Sequence, residues 1–308
     1  MNKNLKFGMS LALITAVISG FANFIAKIGV TSVKNPVVFT TLKNSIVAVL
    51  LIGLVLSLGK IKELKALSKK SWVKLLAIGV IGGSVPFILF FTGLSMTSAL
   101  TASFIHKTLF VWVAILAVWF LKEKVTKLQI GALVLLLGGT LLLGGFQNFH
   151  FGKGEIMILA ATLLWAVENI IAKKALAEVS SLTLASARMV FGSIILLAVV
   201  VWQGKIGLMA GLSPKQWLWT LIPAVLLFGY VLTWYTALKH APATVVASLL
   251  VPAVFITTVL STIFLKTPLT SLNNLSGVLF AVAAVLLVIN YKIAKNNKSN
   301  VESAKSLA

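Results

Sequence analysis

Residues 99–121 read ALTASFIHKTLFVWVAILAVWFL and are followed directly by the charged triplet KEK at positions 122–124. About 20 apolar residues cross the hydrocarbon core of a bilayer, so this stretch predicts a membrane-spanning helix. His106 and Lys107 interrupt it at a depth where a charged side chain costs about 2.5–3.5 kcal/mol. We therefore expect both side chains to face protein or water.

The rest of the chain has the same character. Hydrophobic residues make up 59% of its 308 residues and charged residues 11%, and the mean hydropathy is +1.05. These values are typical of an all-α, polytopic integral membrane protein without a separate soluble domain. Apolar runs of spanning length predict ten transmembrane helices, at about residues 7–30, 36–58, 73–92, 99–121, 128–145, 156–176, 182–202, 217–238, 243–265 and 275–291.

Basic residues are distributed unevenly between the connections. Most of the 27 lysines and arginines fall on one side if successive helices alternate in direction. This bias predicts a multi-pass protein of the cell membrane, plasma or inner, with both termini in the cytosol. The net charge of +21 is then a consequence of topology. We expect no nucleic-acid partner, because the basic residues punctuate apolar runs and form no basic face.

The composition also limits the chemistry. The chain contains no cysteine and no aspartate, and its three histidines lie on separate predicted segments. No metal-ligand cluster and no Ser/His/acid triad is recognisable in this pattern. We therefore expect no catalytic residues, no metal and no other cofactor, which argues against an integral-membrane enzyme.

The two halves of the chain are similar. Residues 243–265 repeat the design of residues 99–121, with Pro252 at the middle. Further residues align at a nearly constant separation: Asn23 with Asn169, Lys27 with Lys173, Lys43 with Arg188, and Thr108 with Pro252. Because each half contains five helices, the second half enters the membrane from the opposite side. Such inverted-topology repeats recur in transporters, with the substrate site near the midplane between the halves.

Two segments carry a resemblance to a known family. TGLSMTSALTAS at residues 92–103 continues through FLKEKVT at 120–126, and the second copy runs from YTAL at 235–238 through ASLLVP at 247–252. Both resemble the EamA-type repeat of the drug/metabolite transporter superfamily. The resemblance implies a first repeat over 7–145 (helices one to five) and a second over 152–291 (helices six to ten). A polar cytoplasmic tail, predicted to be disordered, follows at 292–308.

The resemblance also implies alternating access of a central cavity lined mainly by helices one, three, four, six, eight and nine. It implies transport of small metabolites, often the export of amino acids or related compounds. Two positions depart from the family pattern. Thr108 stands where the first repeat usually has proline, which changes the kink expected in helix four. Thr267 stands where the second repeat would match Glu123.

Charged residues near the middle of predicted helices are the first candidates for a site. Glu168 and Lys107 both lie near the midplane, given a rise of about 1.5 Å per residue. They form either a charge pair at the substrate site or a structural pair that holds the halves together. In the first case Glu168 binds a cationic group or carries a coupling proton, and Lys107 binds a carboxylate. His106 is a second candidate for proton coupling, with a packed histidine as the alternative.

Polar and aromatic side chains complete the predicted substrate site. Asn23 and Asn169 either face the cavity or form hydrogen bonds with a neighbouring helix. Aromatic rings supply contact area with a polar handle, although aromatic residues in membrane helices are often packed or face lipid. The aromatic candidates for lining the pocket are Trp165, Tyr230, Trp234 and Tyr235.

A further group of residues is predicted to act in coupling or gating. Lys43 and Arg188 lie about two turns inside their helices, so snorkelling to the interface is the favoured alternative for them. Glu123, at the predicted cytoplasmic end of helix four, is expected to form a salt bridge or a helix-end contact that helps to gate the inner side. Pro252 is expected to kink helix nine.

These observations predict a secondary transporter of small metabolites. We expect it to export amino acids or related zwitterionic or anionic compounds by alternating access of a central cavity. Its partners are the substrate and the lipid bilayer, with protons as a candidate coupling ion. A proton-driven or antiport mechanism and an energy-independent facilitator are both compatible with the pattern. The alternatives are a flippase for a lipid-linked carrier, which needs a lateral opening, and a non-transporting scaffold or sensor.

Overall fold

The protein is a bundle of helices. The computed structural model describes residues 3–145, 152–266, 268 and 270–306, and contains no strand within them. In that part of the chain, nine helices are long and apolar enough to cross a membrane, and a tenth apolar helix is shorter. These ten helices are α1 (Lys3–Val33), α2 (Pro36–Ser57), α3 (Lys69–Met96), α4 (Ala99–Phe120), α5 (Lys127–Thr140, extended by a π-helical turn at Leu141–Gly145), α6 (Lys153–Ala175), α7 (Ser181–Trp202), α8 (Pro214–His240), α9 (Ala243–Leu265) and α10 (Ser271–Ser306). Two short helices, Ile61–Lys65 and Ile206–Ala210, lie in the connections. The predicted all-α membrane fold is thereby confirmed.

Polar caps explain where several helices begin. A side-chain oxygen just before the helix accepts a hydrogen bond from a backbone N–H in the first turn, and that N–H has no partner within the helix. At α5 and α8 a glutamine three residues later returns the bond, forming a capping box. The capping residues are Asn35, Ser68, Ser98, Thr126, Ser180 and Ser213.

Three of the spanning helices are broken near their middle. α4 is interrupted at Thr108, and α9 is interrupted between Leu249 and Ala253, next to Pro252. The break in α4 is kept although threonine replaces proline. Thr108 Oγ1 donates a hydrogen bond to the Ile105 carbonyl at 2.7 Å, and such local bonds compete with regular helix geometry.

The break in α3 was not predicted. Its two halves, Lys69–Ile81 and Val85–Met96, are separated at Gly82. In a continuous helix the Gly82 carbonyl would accept from the N–H four residues later. That residue is Pro86, which has no N–H, so the carbonyl is free for other donors.

The packing of the helices follows the internal repeat. α1 packs mainly on α8, and the equivalent helix α6 packs mainly on the second half of α3, Val85–Met96. α2 packs on its own equivalent α7, and α5 on its equivalent α10. The bundle is therefore related to itself by a pseudo-twofold operation that exchanges its halves.

α3 and α7 approach with their backbones in contact. A Cβ added to Gly192 would lie 2.4 Å from the Gly83 carbonyl oxygen, and a Cβ on Gly83 would lie 2.2 Å from the Arg188 carbonyl oxygen. Only small residues permit such an approach between membrane helices. This crossing holds Arg188 next to the break in α3.

The last helix extends beyond its predicted end. The helical backbone of α10 runs to Ser306, through most of the tail for which the composition predicts disorder. No glycine or proline follows Gly277 in this helix, so no residue with a strong helix-breaking tendency ends it near residue 291.

Candidate functional site

A cavity lies in the middle of the bundle, between the two repeats. Its volume is about 90 Å³, which is room for several waters or one small solute. Helices α1, α2, α3, α4, α6, α7 and α8 contribute to its lining. Its polar or charged lining residues are Ser19, Asn23, Lys43, His106, Glu168, Asn169 and Arg188, and its larger apolar or aromatic ones are Phe87, Phe90, Phe91, Leu109, Trp165, Leu227, Tyr230 and Trp234.

The lining differs from the expectation both in the helices and in the residues that form it. Among the described residues, none of α9 lines this cavity, so Pro252 lies outside it, at the break in α9. Lys107 and Tyr235 also lie outside the lining, although both are buried beside it. Lys43 and Arg188 are added instead, because their long side chains reach inward from α2 and α7.

The broken helix α3 provides a backbone acceptor beside the cavity. The Gly82 carbonyl oxygen accepts one hydrogen bond from Trp165 Nε1 and one from Arg188 Nη2, each at 2.9 Å. Pro86 leaves this carbonyl without its helical donor. The three helices α3, α6 and α7 are therefore joined at one oxygen atom.

Glu168 is buried beside the same break, with 1% of its surface exposed. Its Oε1 accepts a hydrogen bond from the Tyr235 hydroxyl at 2.6 Å. A Cβ on Gly82 would lie 2.5 Å from Glu168 Cγ, so the glycine makes room for the carboxylate. Tyr235 thus positions Glu168 from behind instead of lining the cavity itself.

The predicted charge pair between Lys107 and Glu168 is not formed. Lys107 Nζ donates to Ser19 Oγ at 2.7 Å, and within the described residues the ion pair that occurs is Lys74 with Glu178, at the end of the bundle. The two side chains bond to different helices, Lys107 to Ser19 of α1 and Glu168 to Tyr235 of α8. Depth along a helix does not determine which neighbouring helix a side chain reaches.

Lys43 and Arg188 do not snorkel to the interface. Both are buried, with 2% and 4% of their surfaces exposed. Lys43 Nζ lies 4.7 Å from the centroid of the Phe87 ring and 4.3 Å from that of Phe91. The Arg188 guanidinium carbon lies 5.3 Å from the same Phe87 centroid. The two repeat-equivalent cations therefore share one aromatic ring through cation–π contacts.

An aromatic wall lines the cavity next to these cations. The rings of His106 and Trp165 lie 4.9 Å apart, and each lies 5.4 Å from the ring of Phe90. His106 is buried, and its Nδ1 has no hydrogen-bond partner among the described residues. On α8, Tyr230 and Trp234 stack with centroids 5.8 Å apart.

The two equivalent asparagines form hydrogen bonds beside the cavity. Asn169 Oδ1 accepts from Trp234 Nε1 at 3.0 Å, and its Nδ2 donates to the Trp165 carbonyl at 2.8 Å. Asn23 Nδ2 donates to Ser103 Oγ at 3.1 Å. Both predicted alternatives apply at once, because each asparagine borders the cavity and bonds to a neighbour.

The cavity lies between two similar halves of the chain, and comparison with known proteins recognises both halves. Residues 6–145 and 152–290 each match the EamA-like transporter family. The chain belongs to the EamA-like transporter family. This membership identifies it as a multi-pass membrane transporter of the drug/metabolite transporter type, and as a transporter and not an enzyme.

Individual relatives of this EamA-like transporter are distant. The chain is 27% identical over 256 residues to "Uncharacterized transporter sll1164" of Synechocystis sp., covering 78% of this chain and 72% of the relative. It is 27% identical over 196 residues to "Uncharacterized transporter YvbV" of Bacillus subtilis, covering 61% and 60%. A solved crystal structure superposes with a TM-score of 0.69 at 15% identity, over 91% of this chain and 98% of its own, which shows a shared fold.

At the predicted cytosolic face of this EamA-like transporter, Glu123 makes a helix-end contact. Its carboxylate accepts from the backbone N–H groups of Ala243 and Thr244, at 2.7 and 3.1 Å, and from the Thr244 hydroxyl at 2.8 Å. The residue before α9 is Pro242, whose side chain cannot cap the helix. Glu123 of the first repeat therefore caps α9 of the second. Its counterpart Thr267 lies outside the described residues.

Two more carboxylates join the repeats at this face. Glu63 accepts from the Ser180 N–H at 2.7 Å, and Glu178 pairs with Lys74 and accepts from the Ser71 hydroxyl at 3.0 Å. Partial burial raises the pKa of Glu63, but the hydrogen bonds from Ser180 and Thr183, together with the charge of Lys60, lower it below its ordinary value. Hydrogen bonds from Lys74 and Ser71 lower the pKa of Glu178.

Lys27 and Lys173 play equivalent structural roles. Lys27 Nζ donates to the carbonyls of Leu94 and Thr97, at 2.7 and 2.6 Å, at the end of α3. Lys173 Nζ donates to the carbonyls of Leu238 and Ala241, at 2.6 and 2.8 Å, at the end of α8. A cation stabilises the carbonyl end of a helix. Neither lysine lines the cavity.

The sequence-based candidates omitted several parts of the site. The omitted parts include the phenylalanines of α3 and the Gly82 carbonyl. The available signal for the carbonyl was the spacing of Gly82 and Pro86, which leaves an acceptor without its donor. The phenylalanines gave no comparable signal, because an apolar ring in a membrane helix is equally suited to lipid.

Proposed function

We propose that this EamA-like transporter is a secondary transporter that exports small zwitterionic or anionic metabolites, amino acids among them, by alternating access of the central cavity. The observation that carries the proposal is the burial of Lys43, Glu168 and Arg188 around one cavity between inverted repeats. Ionisable groups within a membrane bundle mark substrate or ion routes, and midplane sites between repeats are usual in secondary transporters.

The carboxylate contacts at the predicted cytosolic face support a gating role for Glu123. Each of these contacts joins the first repeat to the second, so each must change if the repeats rock against one another. A residue that caps a helix of the other repeat can therefore stabilise one of two alternating states. Glu168 and His106 are the groups we assign to proton coupling, because both border the cavity and both can bind a proton.

The orientation is part of the same proposal. With both termini in the cytosol, Lys62 lies inside and Lys215 outside, and both are exposed. Because the chain contains no cysteine, Lys62→Cys and Lys215→Cys each introduce a single thiol. A membrane-impermeant maleimide should label only the Lys215→Cys variant in intact cells. Labelling of only the Lys62→Cys variant would reverse the orientation.

The export experiment compares culture media by untargeted mass spectrometry. Cells express the intact protein, its Glu168→Gln variant or an empty vector, and immunoblots of the membrane fraction show equal amounts of the two proteins. We expect a metabolite that accumulates only with the intact protein. Identical media from all three cultures, with folded protein in the membrane, would contradict export.

A further inference from the structure

The charges around the cavity do not balance. Two cationic side chains, Lys43 and Arg188, line it together with a single carboxylate, that of Glu168. Lys107 is buried beside them and is held by the neutral hydroxyl of Ser19. Buried charges in proteins are normally paired, and this excess of positive charge has no partner among the described residues that border the cavity.

Lys43 in particular lacks a polar partner. In the described part of the chain its contacts are the faces of Phe87 and Phe91, and it forms no ion pair there. The Nε of Arg188 is likewise buried without a hydrogen-bond partner. Glu168 does not compensate them within ion-pair distance, and one of its oxygens accepts from Tyr235. Both cations therefore retain donors for a ligand.

We propose that the transported compound is a small organic anion whose carboxylate binds Lys43 and Arg188 and whose apolar or aromatic body packs against the rings of Phe90, Trp165 and Trp234. This inference rests on the proposed function and narrows its substrate class. The two cations approach the same Phe87 ring, so they are no further apart than the sum of their two distances to it. One carboxylate balances the excess charge of the lining, whereas a zwitterion adds no net charge.

The rest of the lining suits the body of such a compound. Ligand pockets combine a mainly apolar surface with a few placed polar groups, and the apolar surface here is largely aromatic. The rings of Phe90 and Trp165 are 5.4 Å apart, and Trp234 is fixed by its hydrogen bond to Asn169. An aromatic or branched carboxylate fits this combination, and a strongly hydrated ion such as phosphate leaves the aromatic wall unused.

Binding to the purified protein in detergent tests this inference without requiring transport. The probes are 3-phenylpropanoate, its neutral amide, 3-phenylpropylamine and zwitterionic phenylalanine, which differ in charge but share a ring. We expect 3-phenylpropanoate to raise the melting temperature and to quench tryptophan fluorescence, with much weaker effects from the other three. An equal effect of the amide, or a stronger effect of the amine or of phenylalanine, would overturn the assignment.

Matched variants place the carboxylate. Lys43→Gln and Arg188→Gln should each weaken 3-phenylpropanoate binding at least tenfold, and Lys43→Arg should restore part of it. Lys174→Gln removes an equal charge from an exposed position outside the cavity and should leave binding unchanged. Wild-type affinity in a folded Lys43→Gln or Arg188→Gln protein would overturn the inference.

The binding and export experiments test the substrate class and the direction of transport independently. If the export experiment identifies a metabolite without net negative charge, the substrate class is wrong and transport stands. If 3-phenylpropanoate binds as expected but no medium differs, the anion site stands and export is wrong.

Discussion

Arg188 on α7 donates a hydrogen bond from Nη2 to the backbone carbonyl of Gly82 on α3, 2.9 Å away. The bond connects the two repeats. Its acceptor, the Gly82 carbonyl, has no helical donor because Pro86 lacks an N–H. The bond holds one half of the guanidinium group and leaves Nε without a partner among the described residues. The break in α3 thus fixes the position of the cation through one nitrogen and leaves the rest of the guanidinium group unbonded within the described residues.

Replacing Pro86 tests the importance of this break. Pro86→Ala supplies an N–H that competes with Arg188 and Trp165 for the Gly82 carbonyl. A hydrogen bond to a charged group contributes about 1.5–3 kcal/mol, so we expect transport to fall about tenfold. Transport is measured as export of the metabolite identified from the media, at matched amounts of protein in the membrane.

A proline at the start of a helix provides the control for this substitution. Pro214 is the first residue of α8, where a missing N–H leaves no helical bond unmade. Pro214→Ala should therefore transport at the wild-type rate. Equal rates for Pro86→Ala and Pro214→Ala would show that the break has no part in transport.

The crossing of α3 and α7 is expected to tolerate no added methyl group. A Cβ at Gly192 would meet the Gly83 backbone at 2.4 Å, and backbone cannot yield as a flexible side chain can. Overpacking costs about 1–3 kcal/mol, so Gly192→Ala should lower the melting temperature in detergent by several degrees. Gly131→Ala is the control, since nothing lies within 4 Å of an added Cβ there. A melting temperature equal to that of wild type for Gly192→Ala would contradict the close approach.

The fold was predictable because the thickness of the bilayer sets the length of a spanning helix, and that length is visible in the sequence as an apolar run. The pairs Lys27 with Lys173 and Asn23 with Asn169 also indicated the repeat, and the structure gives the lysines equivalent bonds. The helix breaks were less accessible. Pro252 marked the break in α9. The break in α4 was less evident, because Thr108 stands where the family usually has proline, and the break at Gly82 depends on a proline near the start of the following segment.

The site was predictable only in part, because position along a helix gives depth but not direction. Glu168 borders the cavity, whereas its expected pairing with Lys107 depends on the rotation of each helix about its own axis, which depth does not give. For Lys43 and Arg188 the length of the side chain allows both snorkelling and burial. Tertiary packing favours burial here, because both side chains reach the cavity and contact the Phe87 ring.

Loss of the Glu123 carboxylate should weaken the contact between the repeats. In Glu123→Gln the charge that favours the N-terminus of α9 disappears, and one of the two acceptor oxygens becomes a donor. The charge term at a helix terminus is about 0.3–1 kcal/mol, and the lost hydrogen bond adds about 1 kcal/mol. We expect a lower melting temperature in detergent and an altered transport rate. Lys124→Gln changes the charge of an exposed neighbour and should do neither, and a Glu123→Gln protein that also does neither would remove Glu123 from gating.

The carboxylates at the predicted cytosolic face make stability dependent on pH. Hydrogen bonds depress the folded-state pKa of Glu63 and Glu178 below the ordinary value of 4.5. Their contribution to stability is therefore complete above about pH 4.5 and is lost as the pH falls below it. We expect the melting temperature to decrease over this range. The decrease should be smaller in a Glu63→Gln, Glu178→Gln double variant, and identical pH profiles for the two proteins would contradict this assignment.

Glu168→Gln separates proton coupling from substrate binding. The amide keeps the size of the side chain and an acceptor for the Tyr235 hydroxyl, but it cannot exchange a proton. If Glu168 carries the coupling proton, the variant cannot drive substrate against its gradient, so export from cells stops. Downhill transport in proteoliposomes then continues without dependence on pH, and binding of the substrate persists. Tyr235→Phe is the companion variant, because it removes the hydroxyl and leaves the carboxylate able to titrate. We expect it to shift the pH profile without abolishing it. A pH dependence of Glu168→Gln that matches wild type would exclude Glu168 as the coupling group and leave His106, on the same cavity, as the residue to test.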